Sequence, residues 1–202
     1  HLIFYYLAVV AIFLLFFSFN SDFLKNLLSL SSSISNIGFS LNYEQSNLNI
    51  VYLILVIIGG SFFSTSSGLR FIKIYSLFKY SINQILSFSR PKNVFMNKLL
   101  FTKINFDFKE INKYFLTIII FVISLFTLTI LLSLASIDFE SAFKLSILTI
   151  MNTVNSTSYG MSNFDFYNLN YFTKYCLILF MIIGRIELLT ILIIIKKFLF
   201  KD

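Results

Sequence analysis

Two stretches of this chain, Leu2–Phe19 and Tyr114–Leu134, run without a single charged residue. Each is about long enough, as a helix rising roughly 1.5 Å per residue, to cross a hydrocarbon core of roughly 30 Å. Backbone placed in lipid has to satisfy its own hydrogen bonds, so helices are expected wherever such stretches go. Composition points the same way: 57% of residues are hydrophobic and 12% charged, far from the balance of a soluble domain. The expected fold class is an all-α membrane protein. The 27 Phe then read as rings facing lipid or neighbouring helices, rather than as a stacking surface or a cofactor box.

Between the apolar spans lie polar inserts with their own organisation. After Asn20, the pair Ser21 and Asp22 supplies helix-capping side chains, and Phe23 to Ile34 has helical apolar periodicity. The spacing predicts a short re-entrant helix followed by the loop SISNIGFS. Closely spaced carbonyls and hydroxyls, with Gly38 free to take a positive φ, are what a desolvated cation needs. Non-helical backbone at this depth is tolerated only where it is buried in protein or lines a wet cavity.

A helix resumes at Ile50–Ile58 and meets GGSFFSTSSG, from Gly59 to Gly68, before Leu69–Ser81 continues. Glycine and small hydroxylated residues make a poor helix interior. Close helix packing through small residues is one reading. A broken segment beside an ion path is the other, favoured because one helix rarely needs so many breakers together.

Nine of the 16 Lys and Arg fall between Arg70 and Lys113, where Pro91 also lies. In a membrane chain this marks a cytoplasmic connector with amphipathic pieces. A nucleic-acid surface is excluded, because these charges sit between apolar spans with no soluble domain to present them. Past Tyr114–Leu134, Asp138 and Glu140 open a second short helix running to about Ile150; the polar loop Asn152–Asn170 follows, and Tyr171–Ile195 crosses back.

One pattern therefore occurs twice: membrane helix, acidic cap, short helix, Ser/Asn/Gly loop, membrane helix. The expected organisation is a repeat over 1–82 (helix, pore loop 21–40, broken helix 50–82), a cytoplasmic connector over 83–112, and a repeat over 113–197 (helix, pore loop 138–160, helix 171–195). With basic residues in the connector and at Lys196, Lys197 and Lys201, both re-entrant loops lie on the outer side. Each short helix then aims its C-terminal end, equivalent to about half a negative charge, at the loop after it. Cations are favoured there. The chain opens at His1 directly into an apolar span, and is expected to continue upstream.

Arg185 and Glu187 stand mid-span in the last apolar stretch. An ionisable residue at that depth costs on the order of 2.5–3.5 kcal/mol and faces protein or water. Two positions apart on a helix, they point to different sides and need separate partners. They either hold helices in register or, for Arg185, place a fixed positive charge below the loops to limit cation passage.

These residues carry a resemblance. SISNIGFS resembles the third filter loop of the Trk/Ktr/HKT superfamily of potassium transporters. GGSFFSTSSGLRFIKI resembles its glycine-rich broken helix with a following basic residue, and MIIGRIELLT the Gly-Arg-x-Glu signature of its final helix. The likeness runs over essentially the whole chain, and points to the C-terminal half of a TrkH-like membrane subunit. It implies four repeats around one pore, of which this chain supplies the third and fourth. It further implies a multi-pass protein of the bacterial plasma (inner) membrane, a homodimer set in membrane lipid, and a TrkA-like cytoplasmic nucleotide-binding regulatory subunit. The implied activity is potassium uptake, driven by the membrane potential or coupled to another ion as a symport. The implied cargo is potassium, with no covalently bound cofactor.

Carried over position by position, Ser35, Asn36, Ile37, Gly38 and Phe39 line the filter through backbone carbonyls. Asn152, Thr153, Val154, Asn155 and Ser156 form the fourth loop. The gate is Gly59, Gly60, Ser64, Ser66, Ser67 and Gly68, contacted by Arg185. The fourth loop departs from the family pattern Asn-x-Gly-Pro-Gly, reading MNTVNSTSYGMS. The step that leads from Asp22 to Gly38 leads from Asp138 to Val154, whereas glycine chemistry would select Gly160 and lengthen the short helix by more than a turn. The first register is preferred, and it leaves this repeat without a filter glycine. The Asn155-Ser156-Thr157 sequon is read as chance.

An intramembrane enzyme needs a nucleophile with its base, or a metal pair, within the spans. The only His is His1 and Cys176 stands alone, so no enzyme is expected. A non-conducting or sodium-permeable relative acting as an assembly subunit is the alternative, and the altered fourth loop is its support.

Overall fold

The computed structural model describes residues 8, 23–39, 49–59, 69, 71–89, 108–155, 157–161 and 164–185. Among them are six α-helices, one short 3-10 turn and no strand. They are α1 (Phe23–Ile34), α2 (Asn49–Ile58), α3 (Phe71–Ser89), α4 (Phe108–Leu134), α5 (Phe139–Met151) and α6 (Tyr171–Arg185), with the turn at Thr157–Tyr159. The all-α class expected from the apolar spans is what forms.

Helix α4 contains a 25-residue stretch, Glu110–Leu134, that is apolar and long enough to cross a membrane. Its faces differ by burial rather than polarity. Phe121, Ser124, Leu125, Leu128, Thr129 and Leu132 are buried at helical spacing, while Phe115, Ile119, Val122, Ile123, Phe126 and Ile130 are exposed. A helix apolar all round with one buried stripe suits protein on one side and lipid on the other.

That buried stripe packs on α5, which is also in contact with α6 and α2. From Leu145 to Met151 every residue of α5 is buried. The two core hydroxyls on this interface pair: Thr129 Oγ1 donates to Ser146 Oγ (3.1 Å), and Ser146 Oγ donates in turn to the Ala142 carbonyl (2.7 Å). Helix α1 packs against α2, and α3 against α4.

Helix α1 shows how a serine-rich helix sits in an apolar setting. Ser31, Ser33 and Ser35 donate to the carbonyls of Leu27, Ser29 and Ser31, each at 2.8 Å. The hydroxyls are thereby satisfied within the helix itself.

Several boundaries differ from the sequence expectation. Helix α2 stops at Ile58 and Gly59 takes φ 66°, so the chain leaves the helix where the glycine pair predicts. Helix α3 runs on to Ser89, past Ser81, and α4 begins at Phe108 rather than Tyr114; residues 82–89 carry no charge, whereas 108–113 include Lys109, Glu110 and Lys113. The first span Leu2–Phe19 (apart from Ala8), Asp22, Pro91 and the stretch after Arg185 lie outside the described residues.

Candidate functional site

Helices α1 and α5 end in the same turn. Asn36 and Asn152 both adopt left-handed backbone, with φ 56° and 54°. Asn36 N–H reaches the Ser33 carbonyl (3.3 Å) and Ile37 N–H the Ser32 carbonyl (3.0 Å). At the second site Asn152 N–H reaches Thr149 (3.1 Å) and Thr153 N–H reaches Leu148 (2.9 Å). This is the six-to-one and five-to-two bonding that closes a helix through one left-handed residue, and asparagine tolerates that conformation better than most. The turns leave the helix-end carbonyls, with their partial negative charge, beside the loops.

The loops then meet. A side-chain carbon placed on Gly38 would collide with the carbonyl oxygen of Val154 and lie 2.8 Å from its nitrogen and carbonyl carbon. Gly38 has φ 81°. Both the backbone angle and the approach of Val154 demand glycine. Val154 itself does not take a positive φ, so the loops part company at the residue where they touch.

They are also held by different bonds. Phe39 N–H donates to Ser32 Oγ (2.6 Å), folding the first loop back onto α1. The position equivalent to Ser32 on α5 is Leu148, which has no hydroxyl. Instead Asn155 Nδ2 donates to the Met161 carbonyl (3.1 Å). Ser35, Ile37, Phe39 and Val154 are exposed, while Asn36, Gly38 and Thr153 are buried and Asn152 and Asn155 half-buried. Thr153 Oγ1 and Asn155 Oδ1 are buried oxygens with no hydrogen-bond partner among the described residues.

Helix α6 comes up against the end of α5. Gly184 leaves no room for a side chain beside the Ile150 carbonyl, and Asn152 Nδ2 donates to the Met181 carbonyl (3.0 Å). Arg185 follows at the end of α6; its side chain lies outside the described residues, as do Glu187, Ser156 and, in the expected gate, Gly60, Ser64, Ser66, Ser67 and Gly68. Of that gate Gly59 is described, and it is buried.

Gly160 does not belong to the loop junction. With φ 70° it lies against the Asn49 side chain and near Lys144 Nζ. Lys144 pairs with Glu140 one turn earlier on α5, and the hydrogen bond and charge of Lys144 hold the Glu140 carboxyl below its ordinary range.

Asp138 occupies the N-cap of α5 but makes no side-chain capping hydrogen bond. It lines a cavity of about 380 Å³ with Ser136, Ser141, Asp165 and Asn168. The Asp165 carboxylate is engaged by Tyr167 N–H (2.9 Å) and Asn168 Nδ2 (2.6 Å).

Over residues 17–202 the chain matches the sequence profile of TrkH, a cation transport protein family. It belongs to the TrkH family. The resemblance carried by SISNIGFS and GRIE is thereby borne out at the level of the family, and the expectation of a transporter rather than an enzyme stands with it. TrkH membership also makes this a membrane protein. The fold is similar to that of the potassium transporter TrkH from Vibrio parahaemolyticus, with a TM-score of 0.75 at 20% identity over 96% of this chain. This TrkH-family chain spans 42% of that transporter's length. No curated protein matches it.

Proposed function

We propose that this chain forms two adjacent quarters of a potassium pathway, with a selectivity filter built from the backbone carbonyls of Ser35–Phe39 and of residues 152–156. The observation that carries the reading is the contact between Gly38 and Val154, at the ends of two short helices closed by matching turns. The Val154 carbonyl and the C-terminal ends of the two short helices meet there, and a dehydrated monovalent cation is the ligand such a field suits. The similarity to a potassium transporter supports potassium as the cargo.

In this reading Gly59–Gly68 is the intramembrane gate and Arg185 its charged contact. The complete protein is a multi-pass homodimer of the bacterial inner membrane, regulated by a cytoplasmic nucleotide-binding subunit. Uptake follows the membrane potential or is coupled to another ion. The test is growth at low potassium of uptake-deficient cells expressing the full-length protein, together with rubidium tracer flux. Restored growth with flux is expected; neither growth nor monovalent cation flux would remove the reading.

A second reading, a sodium-permeable or non-conducting assembly subunit, is favoured by one feature. Val154 lacks the positive φ of Gly38, so its carbonyl is aimed differently. Sodium flux without potassium preference, or no flux beside a conducting partner, would establish it.

A further inference from the structure

The turn Thr157–Tyr159 lies in the second repeat by sequence, yet it is built into the first. Tyr159 is 1% exposed and Ser33 0%, with the phenol oxygen 3.3 Å from Ser33 Oγ. The direction of this bond follows from proton bookkeeping. Ser33 has one hydroxyl proton and gives it to the Ser29 carbonyl at 2.8 Å, so Tyr159 is the donor and Ser33 Oγ the acceptor. The neighbouring residue makes a parallel contact one helical turn earlier, where Ser158 Oγ donates to Ser29 Oγ (3.3 Å). On its other side the turn contacts α2, and Gly160 after it closes on Asn49.

We infer that this turn is a clamp between repeats, in which the Tyr159 hydroxyl positions the fourth-loop backbone against the third loop and thereby sets discrimination among monovalent cations. The inference rests on the reading of the two loops as a filter. Ser33 stands in the last turn of α1, whose carbonyls at Ser32 and Ser33 hold Ile37 and Asn36. Val154 and Tyr159 are ends of one short segment. A displacement of Tyr159 from Ser33 is therefore delivered to the Gly38–Val154 contact from both sides. Tyr159 touches no ion and is a positioning residue.

Tyr159→Phe is a mild probe. It keeps the buried ring and leaves only an acceptor lone pair on Ser33, which costs far less than stranding a donor. The full-length protein and its Tyr159→Phe, Ser33→Ala and double variants are reconstituted in proteoliposomes, and potassium and sodium uptake are measured in the same preparation. Each single variant is expected to change the potassium-to-sodium ratio by about 2- to 10-fold, the span of one neutral hydrogen bond, while the double variant changes it no further. Ser158→Ala provides an independent reading of the clamp should either single variant fail to fold, with a shift in the same direction expected. Unchanged ratios in folded, active variants, or fully additive effects, overturn the clamp. A parent protein that carries no monovalent cation instead overturns the filter reading itself, so the two failures are distinguishable.

Discussion

Gly38 and Val154 occupy the same step from the starts of their respective helices, and their backbones touch. Gly38→Ala adds one methyl group where only backbone stands to receive it, at φ 81°. The left-handed conformation alone costs a non-glycine residue about 1–2 kcal/mol, and the Val154 carbonyl cannot swing away as a side chain does. Cation uptake is expected to fall at least tenfold in protein that still reaches the membrane. Val154→Gly in the same background is expected not to restore uptake, because it leaves the obstructing carbonyl in place. Tracer uptake normalised to membrane protein decides both points.

At the same end of α5, Gly184→Ala pushes α6 away from the Ile150 carbonyl. Overpacking of a tight contact costs about 1–3 kcal/mol. A lower thermal midpoint in detergent is expected, together with reduced uptake. A variant as stable as its parent would show that α6 yields easily at this contact.

Asn152 has two duties that substitutions separate. Asn152→Gly keeps the left-handed turn and loses the bond to the Met181 carbonyl, at about 0.5–1.5 kcal/mol. Asn152→Ala loses the bond and strains the turn as well. Thermal stability is expected to fall in the order parent, Gly, Ala; equal losses in the two variants would leave the turn geometry without consequence.

Ser32→Ala releases the Phe39 N–H from its acceptor. Loss of about 0.5–1.5 kcal/mol of loop stabilisation is expected, read as weaker half-saturation for potassium with the maximal rate little changed. Leu148→Val, at the equivalent place in the repeat that has no such bond, serves as the control, and an equal effect there would discount the hydroxyl.

Arg185→Ala is expected to raise basal cation flux and weaken its regulation, since it removes the charge proposed to close the gate. Unchanged flux in a folded variant would take Arg185 out of that role.

Local signals made the short helices legible. The Phe23–Ile34 periodicity carries α1 end to end, and the acidic start at Asp138 places α5 to within a residue of its end. Gly38 and Val154 stand at the same step because each follows a left-handed Asn, Asn36 or Asn152, set the same distance from the start of its helix. What could not be read is the long-range pairing. Nothing around Tyr159 in the sequence distinguishes a tyrosine locked to Ser33 from one in a polar loop, because the partner lies 126 residues away on α1. Gly160 attracts attention as a filter glycine by its chemistry, but it serves the turn over Asn49. Helix α3 reaches Ser89 through residues 82–89, which carry no charge and are largely exposed, so neither charge nor a buried face marks in the sequence where it stops.

The burial of α5 on every side from Leu145 to Met151 also bears on how this chain is made in the cell. A helix of 13 residues is too short to be retained by lipid as a spanning segment, and its last seven residues have no face to offer lipid. It takes its place only once α2, α4 and α6 stand around it. Biogenesis is therefore expected to run in two stages, insertion of the long spans during synthesis and late folding of the short helix between them. Mutations that slow this last step would leave a fully inserted protein that reaches the membrane, resists extraction like its parent and conducts nothing.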